Sequence, residues 1–379
     1  MVVPYQGIRD SVFGRVPIIR GTEQYPIDLK QIQPASIDLR LGRKVYRNWA
    51  AAIPHNRFVA DVLKSQRKYD FELDSTQVHE LEKDHTYIID LIESCTLPDD
   101  TFLEFSPKSS TGRCDVFTRV ICDRNGYYDR TPAGYHGPLY LEVTPKSFDV
   151  GVTECLELMQ ARIKHVGAQT LEDSEIKRLH MAECLLCDTN GKPLDQQQLE
   201  IHDRELFFHI DLDRDIVGFA VKSTVMQSLN LKLRDVEPDD FWQPIRRPKN
   251  GELVLVPEHF YLLCTKERVR IPAGVCGQIP AYSTTIGEMR THYAGFFDPN
   301  FGGDLGTSGV LEVRVRDMPF AFVDGQVICS MKFERMDGLP EKLYGENGSN
   351  YNGSGPSLSK HFCQREEAWE KDYWRSVWK

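Results

Sequence analysis

No run of 18 apolar residues occurs anywhere in the 379-residue chain, so no membrane-spanning helix is expected. Met1–Asp10 lacks the apolar core of a signal peptide, and export by that route is not expected either. Positive charge is in deficit. The chain carries 46 Lys and Arg against 56 Asp and Glu, a net charge of −10. Such a chain is a poor partner for nucleic acid or an anionic membrane surface. It can still hold a small anion in a locally basic pocket. The ten cysteines (Cys95, Cys114, Cys122, Cys155, Cys184, Cys187, Cys264, Cys276, Cys329 and Cys363) are scattered. Without a secretion signal they read as reduced thiols of a cytoplasmic protein.

Several catalytic signatures are missing as well. Gly302-Gly303 and Gly306 do not follow a strand–turn–helix pattern, which excludes a dinucleotide fingerprint or a phosphate-binding P-loop. No Ser-His-Asp arrangement can be assigned from spacing. Cys184-Leu185-Leu186-Cys187 invites a zinc reading. Zinc deaminases need His-x-Glu followed by Pro-Cys-x-x-Cys. Here His180 and Glu183 have the wrong spacing, no proline precedes Cys184, and no second CxxC exists. The alternation in AECLLCD suits a hairpin strand, and no zinc is expected.

What is present is a chain of two-domain length with 41% apolar residues, enough for two cores. Met1–Gln31 reads as a short helix or arm with a polar lead-in. PASIDLRLG (34–42) alternates apolar and polar residues and ends in Gly, as a strand with a turn behind it does. Val45–Lys68 reads as basic and irregular. Short strands follow at Leu81–Glu93, Thr101–Phe105, Val150–Thr153 and Leu156–Ile163. Leu171–Met181 has helical period, and Cys184–Leu194 reads as a hairpin about Thr189-Asn190-Gly191. Further strands are expected at Leu253–Val256, Tyr261–Thr265, Val310–Val315 and Val327–Phe333. Many short strands with turns between them point to an antiparallel barrel or jelly roll. Leu343–Pro356 is rich in Gly, Asn and Ser, and is expected to be ordered only when it closes over something. Glu366–Trp378 reads as a short helix whose Trp369, Tyr373, Trp374 and Trp378 dock on a core or a partner subunit.

The chemistry concentrates in FSPKSSTGRCDVFTRVICDRNGYYDRTPAGYHGPLYLEV, from Phe105 to Val143. A Ser-Ser pair, Ser109-Ser110, between the cations Lys108 and Arg113 suits a phosphate chain. Glu142 lies alone in an apolar strand, where burial raises a carboxyl pKa toward the range needed for proton transfer. The stretch occurs twice. At an offset of 174 residues Tyr87 meets Tyr261, Pro98 meets Pro272 and Ser109 meets Ser283. At an offset of 170, Glu142 meets Glu312. A glutamate kept in the same apolar strand of two diverged copies is hard to explain as a solvated side chain. The chain therefore reads as an internal duplication of a β-rich unit.

PASIDLRLG (34–42), PKSSTGR (107–113), YHGPLYLEV (135–143), AGFFDPNFGG (294–303), VLEVRV (310–315) and SNYNGSGPSLSK (349–360) together resemble the dCTP deaminase family of the dUTPase-like superfamily, in its double-length bacterial form. The resemblance implies a mainly β chain of two tandem dUTPase-like barrel or jelly-roll domains, with short helices in the connector and at the C-terminus. The units would be 1–165, a connector at 166–204, 205–340, and a closing tail and helix at 341–379. It implies hydrolytic deamination of dCTP to dUTP and ammonia. Mg²⁺ would be carried on the substrate phosphates, dTTP is a possible inhibitor, and the assembly would be a homo-oligomer. Carried over by residue, Lys108, Ser109 and Ser110 would meet the triphosphate or the activated water. Arg113 would hold the water and the catalytic glutamate, Glu142 or Glu312. Ala294 would offer its backbone carbonyl, and Tyr344, Asn350, Tyr351 and Ser354 would close over the nucleotide. Ser283, Arg290 and Asp298 complete the expected substrate contacts.

Neither copy is complete. The second reads YSTTIGEMRTHYAG, with Thr284 for the second serine and Gly287 for the arginine; Arg290 stands three residues out of register. The first keeps Ser109, Ser110 and Arg113 but lacks a clean AGFxDP segment. A composite site follows, with Lys108, Ser109, Ser110 and Arg113 from one copy and Ala294 and Glu312 from the other. Glu142 is then a relic. Two alternatives remain: a dUTP pyrophosphatase that uses Asp298, and a nucleotide-binding regulator that has lost catalysis.

Overall fold

The computed structural model describes residues 1–280, 287, 289–290, 295–346, 351 and 355–363. Its first half is built on one antiparallel sheet. Strands Thr101–Pro107, Glu157–His165, Ile37–Asn48, Thr86–Thr96, His136–Pro145 and Val116–Cys122 lie side by side in that order. Asp129 nearly closes this sheet into a barrel. Its N–H donates to Val120 O at 3.0 Å, and its carbonyl accepts from Phe105 N at 3.0 Å. Closure of this kind removes exposed strand edges.

The second half divides the matching strands between two sheets. One runs Trp242–Arg246, Ile216–Val221, Phe260–Val269, Thr307–Val315 and Met289–Arg290. The other runs Ile201–His202, Glu205–His209, Val327–Arg335, Val275–Gln278 and Phe296–Phe297. The duplication is visible in the register. Ile88 lies opposite Glu142, and Leu262 lies opposite Glu312. Tyr87 OH accepts from Glu82 N and Tyr261 OH from Val256 N, each at 3.1 Å and each five residues back.

The two halves share packing. The core around Leu39, Leu41 and Leu141 continues into Phe219, Trp242, Phe260 and Leu262 of the second half, and into Leu358 and Phe362 of the closing segment. Phe362 packs edge-on against Phe241 and Trp242, with ring centroids 5.4 and 5.9 Å away. Val2 bridges to both Lys164 and Met336, one strand from each half. Arg314 of the second half pairs with Asp115 of the first.

Some local expectations are revised. Gly42 does not end its strand, which runs on to Asn48. It sits where the register shifts against Thr86–Thr96, and a Cβ there would meet Asp90 Oδ1 at 2.7 Å. The glycine therefore permits a close approach rather than a turn. Val45–Lys68 is not irregular. It holds the end of that strand and a helix, Val59–Gln66, which buries Val59, Val62 and Leu63. The i, i+3, i+4 spacing of those three residues is a helical signal. The connector helix runs Asp173–Glu183 with Glu172 as its N-cap. The hairpin after it forms as read, with Asp188 N donating to Lys192 O and Leu194 N to Leu186 O. Trp369, Tyr373, Trp374 and Trp378, expected on a helix, lie outside the described residues.

Candidate active site

Strand Thr101–Pro107 delivers the chain to a single helical turn, Ser109–Gly112, and Arg113 follows as its C-cap. Thr111 Oγ1 donates to Leu158 O at 3.0 Å and fastens the turn to the neighbouring strand. Lys108, before the turn, pairs with Asp38 and, at 2.8 Å, with Glu157. Asp38 belongs to the SIDLRLG segment, so two distant motifs meet at this ammonium. Burial lifts the Asp38 carboxyl to about 6, against the opposing pull of Lys108. Burial also works against charge on Lys108, but Asp38 and Glu157 hold its pKa above the ordinary value.

Across from this turn stands the second half. Glu312, 1% exposed, occupies the strand Thr307–Val315. Asp298 follows the short strand Phe296–Phe297. Together they line a cavity of about 160 Å³ with Lys108, Ser109, Ser110 and Arg113. Gln33, Asp38 and Gln160 complete the first-half wall, and Phe301 and Val310 the second-half wall. Burial pushes the Asp298 carboxyl up, while the Arg162 guanidinium opposes that shift.

The closing segment supplies the third wall through Tyr344, Tyr351 and Lys360. Arg113 Nη1 donates to Ser357 Oγ at 2.7 Å, and its guanidinium lies 3.8 Å over the Tyr351 ring. Ser359 Oγ donates to Ser110 O at 2.8 Å. Tyr344 N donates to Pro299 O at 3.0 Å. Burial and the neighbouring Lys108 and Arg234 bring the Lys360 ammonium down to about 8. Desolvation disfavours a cation, and two nearby cations add to the penalty.

Not every expected site residue lies here. Glu142 is buried elsewhere, its Oε2 accepting from Ala52 N at 3.1 Å and its Oε1 from Tyr128 OH at 3.0 Å. Burial raises its pKa. Arg290 lies beside Phe117, 4.5 Å from the ring, in a separate cavity with Arg119, Tyr128 and Arg130. Ser283, Ala294, Asn350 and Ser354 lie outside the described residues. At the CxxC pair the two sulfurs are 3.3 Å apart. Both ring nitrogens of the nearby His180 are engaged with backbone, Nε2 with Leu194 O and Nδ1 with Leu185 N.

Sequence reasoning alone passes over Asp38, Gln160, Arg162 and Lys360. Asp38 and Lys360 are within its reach, since each lies inside a segment that carries the family resemblance. Gln160 and Arg162 give no such signal: they sit in a strand that reads only as core.

Family models for the N-terminal and C-terminal domains of 2′-deoxycytidine 5′-triphosphate deaminase match residues 3–167 and 172–362. The chain belongs to the 2′-deoxycytidine 5′-triphosphate deaminase family. Among solved structures, the family enzyme from Agrobacterium tumefaciens is 34% identical. It matches with a TM-score of 0.79 over 90% of this chain and 99% of that one. The fold is thus the mainly β one of that enzyme, with the two family domains in tandem. Curated relatives are shorter. The dUMP-forming dCTP deaminase of Methanosphaera stadtmanae is 30% identical over 32% of this chain and 63% of its own length. That of Coprothermobacter proteolyticus is 26% identical over 51% of this chain and 96% of its own. The dCTP deaminase of Natronomonas pharaonis is 28% identical over 46% and 88%. Members half the length of this chain agree with its duplicated register.

Proposed function

We propose that this chain is an enzyme that hydrolyses dCTP to dUTP and ammonia, at one composite site between its two halves. The observation that carries this reading is the meeting of Glu312 with Ser109, Ser110 and Arg113 on one cavity. Deamination at C4 of cytosine requires water to add at C4 while losing a proton. N3 and then the departing amine must each gain one. A single buried carboxylate can take the first proton and return it. Glu312 is the side chain suited to that shuttle. Arg113 orients the water and Ser110 holds the ring or phosphate end. Lys108 and Lys360 supply charge for the triphosphate, with Tyr344 and Tyr351 covering the nucleotide.

The chemistry needs no zinc in this scheme. The one CxxC has its neighbouring histidine committed to backbone, and among the described residues no group of three or more His, Cys, Asp or Glu could hold a metal. Mg²⁺ would arrive on the phosphate chain, whose oxygens it prefers. The domain limits we assign are 1–165, 166–204, 205–340 and 341–379. A cytoplasmic homo-oligomer that dTTP inhibits completes the reading.

One experiment separates the readings: purified protein incubated with Mg²⁺ and dCTP, dCMP or dUTP, with nucleotide products and ammonia measured. Equal amounts of dUTP and ammonia from dCTP support deamination. A second reading is favoured by Asp298, a buried carboxylate in the same cavity that could direct water at the α-phosphate. It predicts dUMP and pyrophosphate from dUTP, and several relatives carry "dUMP-forming" in their names. Binding with neither product would mark a regulator.

A further inference from the structure

Arg162 is a first-half residue that the proposed chemistry does not use, and its surroundings are unusual for a core strand. It is fully buried, at 0% exposure. Its guanidinium reaches into the second half. Nη1 donates to Gly277 O at 3.2 Å and Nη2 to Phe297 O at 3.0 Å. The guanidinium lies 4.0 Å over the Phe296 ring. Nη2 stands 4.0 Å from Asp298 Oδ1. Neither Arg162 Nε nor Asp298 Oδ1 has a hydrogen-bond partner among the described residues. A buried arginine with an unused donor is costly, so its retention calls for a reason other than stability. Phe296, Phe297 and Asp298 all line the cavity.

We propose that Arg162 is a positioning residue: it reaches from the first half to fix the Phe296–Asp298 wall and to hold the Asp298 carboxylate in the composite site. The Phe296 ring face, the Phe297 carbonyl and the Asp298 carboxylate are three consecutive partners, and the second carbonyl, Gly277 O, lies on the strand paired with them. The planar fork of arginine can make all of these at once, and a lysine cannot. The coupling is also electrostatic, because a full positive charge 4.0 Å from a buried carboxylate favours its ionised form. Other charged groups nearby do not replace it. Lys164, on the same strand, is committed to Glu334 at 2.6 Å and Glu104 at 3.0 Å. Cys276 is a thiol that burial pushes up to about 12. On the cavity side stand Asp38, Lys108, Glu312 and Lys360.

This inference rests on the deaminase reading, and its test is arranged so that the two can fail separately. kcat/KM for dCTP is measured from about pH 5 to 9 in the full-length wild type, R162K, R162Q and D298N, a range that brackets a raised carboxyl. Folding is matched by circular dichroism and melting temperature. R162Q removes the charge, so its acid limb should move to higher pH by roughly half a unit or more. R162K keeps the charge but not the fork. Its acid limb should stay near wild type while KM rises several-fold. D298N should lose only the part of that limb that Asp298 sets, because Glu312 must still be ionised to take the proton from water. A pH profile in R162Q that superimposes on wild type overturns the proposal. If R162Q does not fold, R162K decides alone, and wild-type kcat and KM in that variant overturn it. If the wild type releases no ammonia from dCTP, the deaminase reading fails. The pH dependence of dCTP and dUTP binding, measured by calorimetry in the same variants, then decides the role of Arg162: a shifted profile in R162Q supports it, and a superimposed one overturns it.

Discussion

Glu312 and Glu142 occupy matching strand positions, yet their surroundings call for opposite behaviour on mutation. Glu312→Gln keeps size and shape but removes the proton carrier. General acid–base contributions of this kind are typically on the order of 10²–10⁴ in rate. At 1.36 kcal/mol per factor of ten, that is about 2.7–5.5 kcal/mol of barrier. Glu142→Gln removes a charge that meets Ala52 N and Tyr128 OH. The glutamine carbonyl can still accept one of those bonds. The expected cost is then the other, charge-assisted bond, about 1.5–3 kcal/mol of stability and little in kcat. Ammonia release at saturating dCTP gives kcat for both. Melting temperatures must accompany it, because a misfolded core variant imitates a catalytic loss. If Glu142→Gln abolishes turnover while Glu312→Gln leaves it intact, the assignment of the two halves is wrong and the first half carries the proton chemistry.

Arg113→Ala should lower kcat about as severely as Glu312→Gln, and should raise hydrogen exchange across residues 355–363, which lose the Ser357 contact. Unchanged exchange there would separate the arginine from the closing segment. Lys360, brought down to about 8, predicts two opposite pH effects. The unfolded chain binds its proton more tightly, so stability contributed at this site rises as pH increases from about 8 toward 10.5. Triphosphate affinity should fall over the same rise, as the ammonium neutralises. Lys360→Met should flatten both profiles, and denaturant melts with calorimetric titrations check them. A zinc-selective chelator with Mg²⁺ in excess should leave turnover unchanged; strong inhibition, or stoichiometric zinc in active protein, counts against the scheme.

The duplicated β-strands are legible because register is written in sequence. Paired strands that bury a tyrosine on one and a glutamate on the other constrain alternate positions, and the 174- and 170-residue offsets return as the pairs Ile88–Glu142 and Leu262–Glu312. The placement of Lys108, Ser109, Ser110 and Arg113 opposite Glu312 agrees with the complementary losses in the two copies. Other features are not local. Arg162 lies in MQARIKH, whose alternation says only that the strand is half buried. What sets it apart is the carbonyl of Phe297, 135 residues away. Arg290 reads in sequence as a displaced substitute for the missing arginine. Its short strand, Met289–Arg290, instead places it beside Phe117. The helix Val59–Gln66 escapes notice because its basic flanks mask a short apolar stripe.

Two cations of the cavity already have partners, and this bears on how a ligand would bind. Lys108 is held by Asp38 and Glu157, and Arg113 by Ser357 and the face of Tyr351. A triphosphate that reaches Lys108 would therefore compete with Asp38 and Glu157. Replacing Asp38 and Glu157 beside Lys108 with phosphate oxygens would leave two carboxylates next to more negative charge. Asp38, lifted to about 6, is the group that can relieve this by taking up a proton. Binding should then be accompanied by proton uptake near neutral pH, seen as a buffer-dependent heat in calorimetry. Asp38→Asn should remove that uptake while leaving the Lys108–Glu157 pair in place. The same uptake in the Asn variant would mean that the displaced charge is relieved elsewhere, with Lys360 the next candidate because its neutral amine fraction takes up a proton as anionic charge arrives.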